Sequence, residues 1–348
     1  HDRSFYVARH RLPAAPVNEK PLGEQGLEAT HALARRGASP TREFSGSRKL
    51  KSRIKDMDSH SYDRAARGFA LRDGPWRDGL ADRLLSHARI RSFSRILDLG
   101  TGTGRVALRA RPELGEEGRF VGIDHSEGML AEAVRLIGND TRLSFQVMDA
   151  ERLQFEDGSF DSVVSQHALF HFPDPVKALK EATRVLKPGG YCVVGVGCGP
   201  PSLSWLWARE SIKRVVELVL MKCGLCVLPR QLYSRARDYL QTPPVELAAT
   251  ETVAKTPRWL LEIFRESGLE EVRWDWTGDV LKIHDTDLYW DVLTTFSSEL
   301  REKIHHSPDI AVEELRLSFQ DQCRTVLERG GRLLYPFASF YAIGRTPG

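Results

Sequence analysis

The stretch RILDLGTGTGRVAL, Arg95 to Leu108, constrains this chain more than any other. An apolar run reads as a buried strand, and glycines at 100, 102 and 104 then break it before a helix from about Arg105 to Arg111. A strand that turns at once into a helix predicts a crossover to a parallel neighbour, and so a sheet covered on both faces. The next segments keep that rhythm. RFVGID reads as a second strand, SEGMLAEAVRLIG as a helix with Ser126 as N-cap and Gly138 past its end, and LSFQVMDA as a third strand. FDSVVSQHALF reads as strand four, DPVKALKEATRVLKPGG as a helix closed by Pro188 and two glycines, and YCVVGVGC as strand five. Further on, TPRWLLEIFRESG and SPDIAVEELRLSFQDQCRTVLERGG read as helices, the second with Ser307 as N-cap and Pro308 at its first position. LEEVRWDW and PFASFYAIGRT read as two late strands.

The glycine turn lets a ligand approach the backbone closely. Gly102 to Ala107 fits the dinucleotide pattern G-x-G-x-x-A, which would set a pyrophosphate at the helix N-terminus. Asp98 argues against that ligand, because a carboxylate at the mouth of the turn repels phosphate. It suits a ligand with positive charge, and S-adenosylmethionine carries an ammonium and a sulfonium but no phosphate. Asp124 closes strand two and stands where a carboxylate accepts from ribose hydroxyls. Asp149 closes strand three, where it can accept from an adenine amino group, and Met129 can pack on the adenine face. One such acid would pass for a helix cap or a solvated turn. Three, at the carboxyl ends of successive strands, point to a ligand.

Composition narrows the classes. Fifty Lys and Arg against 47 Asp and Glu give a net charge of +3, too small a field to predict nucleic-acid binding. Five cysteines without a paired framework fit a reducing cytoplasm, the expected location. No run of about 20 uncharged apolar residues is present, so no spanning helix is expected. The opening at His1, without methionine, fits a processed or partial chain.

ILDLGTGTG, VGIDHSEGML, MDAERLQFEDGSFDSVVSQHALFHFPDP and EATRVLKPGGYCVV together resemble the successive motifs of class I S-adenosylmethionine-dependent methyltransferases. The likeness is closest to the small-molecule branch that includes ubiquinone and menaquinone methyltransferases, and covers about residues 92–199. It implies an α/β fold with a seven-stranded Rossmann-like sheet in the order 3-2-1-4-5-7-6, with strand six at about 271–277 and strand seven at about 337–345. Helical insertions would form a substrate cap. It implies S-adenosylmethionine as cofactor, with Gly100, Gly102, Asp124, Asp149, Ala150 and Gln166 as contacts. Tyr62, in SHSYDRAA, matches a tyrosine ahead of strand one that closes over the methionine end. Asp98, Thr101, Gly104, His125 and Met129 complete the expected cofactor set.

His167 and His171 follow strand four, near where the methyl would sit, and are the candidate bases, His171 first. Their spacing lacks the further ligands of a metal site, so no metal is expected. Cys223-x-x-Cys226 has no second pair and reads as packing. The apolar segment around 215–228, headed by Lys213 and Arg214, reads first as a helix packed on the body. The other readings are a lid over a lipophilic substrate and a membrane-surface helix.

The expected organisation is a leader at 1–55 and a methyltransferase domain at 56–348, with its core at 92–199 and cap segments at about 56–90, 200–255 and 279–332. The leader SFYVARHRLPAAPVNEKPLGEQG resembles the opening of histidine phosphatases, but the chain has no room for the rest of that fold, so phosphatase activity is rejected. The expected function is methyl transfer from S-adenosylmethionine to a small acceptor, with a hydrophobic one favoured. The alternatives are an RNA or protein methyltransferase and a non-catalytic S-adenosylmethionine-binding sensor or partner subunit.

Overall fold

Five strands run parallel, as the alternation predicts, and in the order that the resemblance implies. They are β1 (Arg95–Leu99), β2 (Arg119–Asp124), β3 (Leu143–Val147), β4 (Phe160–Gln166) and β5 (Leu186–Val196), laid out 3-2-1-4-5. Three more follow, β6 (Cys226–Val227), β7 (Glu270–Ile283) and β8 (Arg332–Arg345). β8 lies antiparallel beside β5, and β7 antiparallel beside β8. With β7 and β8 as the sixth and seventh strands, the sheet has the expected order 3-2-1-4-5-7-6. The structure, a computed structural model, describes residues 48–72, 74–202, 204–241 and 256–348. The phosphatase-like opening lies outside the described residues.

The strand sequences explain the layers. Neighbouring residues point to opposite faces, and both faces are apolar. Ile96, Val164 and Val193 pack with α2 (Asp78–His87) and α3 (Arg105–Ala110). Their neighbours Leu97, Val163 and Val194 pack on the other side with α5 (Pro175–Val185) and α8 (Pro257–Glu266). α4 (Glu127–Ile137) is opened by Ser126, whose hydroxyl accepts from the Met129 N–H, as the sequence predicts. A third apolar cluster lies outside the sheet's central part. It joins α7 (Pro229–Tyr239), α9 (Thr286–Phe296) and α11 (Asp309–Glu328), with α10 (Ser298–His306) contributing Leu300.

Several boundaries differ from expectation, each for a local reason. α1 spans Arg48–Arg72, so the leader boundary expected at 55 falls inside a helix. α6 covers Trp205–Lys222 and stops before 228, because Gly224 takes φ 70°. Cys226 and Val227 then form β6 against Arg332 and Leu333. Leu333 also pairs with Ile283, so β6 takes the flank of β8 that β5 occupies farther along. Ser307 does not open α11: its hydroxyl donates to the Lys303 carbonyl at 2.7 Å and so finishes α10. The late strands are longer than predicted, because β7 and β8 pair from Glu270 to Ile283.

Candidate active site

The carboxyl ends of β1, β2 and β4 meet at one cavity of about 300 Å³. At its base the backbone of the glycine turn folds over β2: the N–H groups of Gly100 and Thr101 both donate to the Ile123 carbonyl at 2.9 Å. Gly100 has φ 71°, and a Cβ there would stand 2.3 Å from Cβ of Ala168, so glycine is required by space as well as by backbone angle. Gly102, at φ 56°, has nothing within 4 Å of the same position: a side chain there would project into open space. Gly104 corrects the prediction. Its missing side chain makes room for Ala133 and Ile137 of α4, each at 3.2 Å, and it does not line the cavity.

Asp98 is 1% exposed, and neither carboxylate oxygen has a hydrogen-bond partner among the described residues. Burial pushes its pKa up to about 7; Thr101 offsets part of that and the charge of Asp124 adds to it. Thr101 is itself buried with a hydroxyl that lacks a partner among the described residues. Asp124 is better supported. It accepts from the Gly102 N–H at 2.8 Å and the Ser126 N–H at 3.0 Å, so it ties the turn to the start of α4. Burial still raises its pKa, against those hydrogen bonds. Asp149 accepts from the Glu151 N–H at 2.9 Å and from Lys55 Nζ at 2.7 Å. Burial pushes its pKa up, but the bonds from Lys55 and Glu151 outweigh it and hold the group low.

Met129 and Ala150 are buried in the wall between Asp124 and Asp149, and His125 lies at its exposed edge. Gln166, at the end of β4, donates to Ser339 Oγ at 3.2 Å and leaves its own carbonyl oxygen buried without a partner among the described residues.

The two histidines have different surroundings. His167 holds φ 60° and is half-buried, with Nε2 itself buried and unpartnered among the described residues. Burial, with the positive charge of Arg77, pushes its pKa down to about 3, so the ring is neutral. His171 is held at both nitrogens. Nδ1 stands 3.2 Å from Asp58 Oδ2, and Nε2 stands 3.1 Å from the Tyr62 hydroxyl. Burial, reinforced by Asp58, pushes the Tyr62 phenol up to about 12, although Arg301, 4.6 Å above the ring, works the other way.

Every predicted site residue except Gly104 therefore lines one cavity. The sequence reading missed Lys55 and Asp58, which line the cavity, Arg301, which lies over the Tyr62 ring, and the aromatic far wall of Phe69, Phe296, Tyr335 and Phe337, to which Trp76 also belongs. One signal was available: Asp58 and Tyr62 are four residues apart, on one face of a helix. Asp63, also missed, accepts from Ser126 Oγ at 2.6 Å and from the Gly128 N–H at 2.9 Å, and so straps α1 to the start of α4.

Parallel strands, a glycine turn at their carboxyl ends and an acid at the carboxyl end of each of the first three strands define a nucleoside-binding α/β protein. Comparisons with known proteins carry this further. Residues 97–194 match the family model described as a methyltransferase domain. Over 198 residues the chain is 30% identical to 27-O-demethylrifamycin SV methyltransferase of Amycolatopsis mediterranei, covering 55% of this chain and 69% of that protein. It is 43% identical over 109 residues to demethylmenaquinone methyltransferase of Clavibacter sepedonicus, covering 31% of this chain and 42% of that one. It is 33% identical over 197 residues to an uncharacterized 37.1 kDa protein in transposon TN4556 of Streptomyces fradiae, covering 55% of each. The chain spans about half the length of the curated relatives it matches. The chain belongs to the class I S-adenosylmethionine-dependent methyltransferase family.

Proposed function

We propose that this protein transfers a methyl group from S-adenosylmethionine to a hydroxyl of a small, largely apolar acceptor, with His171 as general base. The observation that carries the reading is the Asp58–His171–Tyr62 chain on the wall of the same cavity as Asp98 and the glycine turn.

The residues present fit the cofactor. Two orphaned carboxylate oxygens of Asp98 and the open space over Gly102 suit a cationic ligand close to the backbone. Asp98 would hold the ammonium, Gly100, Thr101 and Gly102 the backbone side, Asp124 the ribose hydroxyls, and Met129 and Ala150 the adenine. Asp149 keeps a role at the adenine edge only alongside Lys55, its present partner. His125 and Gln166 flank the two ends. When bound, S-adenosylmethionine supplies a methyl already activated on its sulfonium.

The chain's own groups then orient the acceptor and take its proton. Asp58 favours the tautomer of His171 with the proton on Nδ1, which leaves the Nε2 lone pair free to accept. Tyr62 stays protonated in this setting and donates to that nitrogen. An acceptor hydroxyl that takes over this hydrogen bond can pass its proton to Nε2 as the new bond forms. General-base help of this kind is worth about 10²–10⁴ in rate. His167, half-buried and neutral, serves as wall and turn and not as base. The aromatic far wall excludes water and favours an apolar ring on the acceptor.

The test uses methyl-labelled S-adenosylmethionine with a panel of phenols and hydroxylated quinones, and with amines and RNA as comparison acceptors. Label is expected in the hydroxyl compounds. His171→Ala should cut that labelling by about 10²–10⁴ while S-adenosylhomocysteine still binds. Labelling confined to RNA or amines, or unchanged by His171→Ala, would overturn the reading.

A further inference from the structure

α6 is the one long described helix in which no residue is buried. Its eighteen residues nevertheless include a continuous apolar stripe. Trp205, Ile212, Val215, Val216 and Val219 recur at helical spacing and are 69%, 68%, 60%, 52% and 54% exposed. Single exposed apolar residues are ordinary; a stripe on one helix face marks a surface that meets something apolar.

The charges around the stripe favour one kind of partner. On the helical projection Arg209 and Lys213 border it on one side and Lys222 on the other. The helix has two acids, Glu210 and Glu217, and both fall on the inward half. The Glu210 side chain is 14% exposed and pairs with Arg209 at 3.0 Å and with Lys213 at 3.9 Å. The Arg209 guanidinium also lies 5.2 Å from the centre of the Trp205 ring. The outward face thus offers aliphatic side chains, an edge tryptophan and cations, with no negative charge to repel an anionic surface. This is the make-up of a helix that lies in a bilayer interface. Among the described residues no helix is long and apolar enough to cross a membrane, so the contact would be peripheral.

We propose that α6 docks the protein on anionic lipid, with Trp205 to Val219 in the headgroup boundary and Arg209, Lys213 and Lys222 on the phosphates. α6 follows the carboxyl end of β5, the edge of the sheet that also bears the cavity.

Sedimentation of the full chain with vesicles tests this. Vesicles of phosphatidylcholine with about a third phosphatidylglycerol should retain the protein, and pure phosphatidylcholine should retain it at least tenfold less. Salt at 0.5 M should release it from the anionic vesicles. Val215→Glu should lower the partition at least tenfold, with an unchanged far-ultraviolet circular dichroism spectrum and melting temperature. Lys222→Glu, an exchange at an exposed position, tests the charge separately and should lower it several-fold. Absence from both vesicle types overturns the proposal, and so does retention that neither exchange alters. Self-association in the ultracentrifuge that Val215→Glu abolishes, without vesicle binding, would instead assign the stripe to a second copy.

Discussion

Asp98 has an environment that makes sense only with a partner. A buried carboxyl without hydrogen bonds resists ionisation, and its pKa of about 7 expresses that. Between about pH 4 and 7 the folded protein holds a proton that the unfolded chain has released, so stability falls as pH rises through this window. A cationic ligand reverses the preference, because it pairs with the carboxylate. Below pH 7 the proton must leave before the ammonium can pair. Affinity for S-adenosylhomocysteine should therefore weaken as pH falls from 7 to 5, by at most about tenfold per unit. Calorimetry in buffers of different ionisation enthalpy should detect the released proton at pH 6. Asp98→Asn should bind weakly at every pH and release none. Asp58 makes a separate prediction at this scale. Asp58→Asn should slow labelling by about tenfold or more, by freeing the His171 ring, and leave S-adenosylhomocysteine affinity unchanged within a factor of two. Equal losses of rate and affinity would mean that Asp58 shapes the cavity and does not orient the base.

The glycine turn separates two roles that look identical in the sequence. Gly100→Ala adds a Cβ that overlaps Ala168, on top of a left-handed backbone, and should destabilise the fold by about 2–5 kcal/mol. Gly102→Ala meets open space and should cost only the backbone term, about 1–2 kcal/mol. On the proposed placement of the cofactor its methyl would stand where the ligand backs onto the chain, so affinity should fall much more than stability. Thermal melts and a binding titration of both variants would show whether the two costs part in this way. This contrast also marks how far the sequence could be read. Strand, turn and helix are local patterns, so β1 to β5, the three glycines and the acids at the carboxyl ends of β1, β2 and β3 were legible from spacing alone. The fate of Gly104 was not, because it depends on α4, about thirty residues on. His171 was legible as a candidate from its place after β4. Its partners Asp58 and Tyr62 lie more than a hundred residues earlier, and only folding of α1 across the sheet edge brings them there. The aromatic far wall was lost for the same reason, since Trp76, Phe296 and Phe337 come from three distant segments.

At the scale of the molecule, the cavity is lined from many segments of the chain, and among them α1 is held by little apolar packing. Of its residues 55–72, only Ser61 and Ala66 are buried, whereas its polar straps are many. Lys55 reaches Asp149, Asp63 the start of α4, Arg64 reaches Glu302 at 2.8 Å, and Arg72 pairs with Asp291. Straps of this kind lose strength in salt and in partial solvent exposure, while the buried sheet does not. α1 is thus expected to open at lower cost than β1, β4 and β5. It also carries Lys55, Asp58, Ser59, Tyr62 and Phe69 to the cavity, so a ligand that fills the cavity bridges the loose helix to the firm sheet. Saturating S-adenosylhomocysteine should stabilise the closed form by mass action, about 2.7 kcal/mol at a hundredfold excess over Kd, if opening abolishes binding. Hydrogen exchange would read this directly. Amides of α1 should gain protection with ligand, and should lose it in 0.5 M salt without ligand, while β4 and β5 change little in either case. Protection confined to the glycine turn would mean that α1 stays closed or open regardless of the site, and would remove it from the binding machinery.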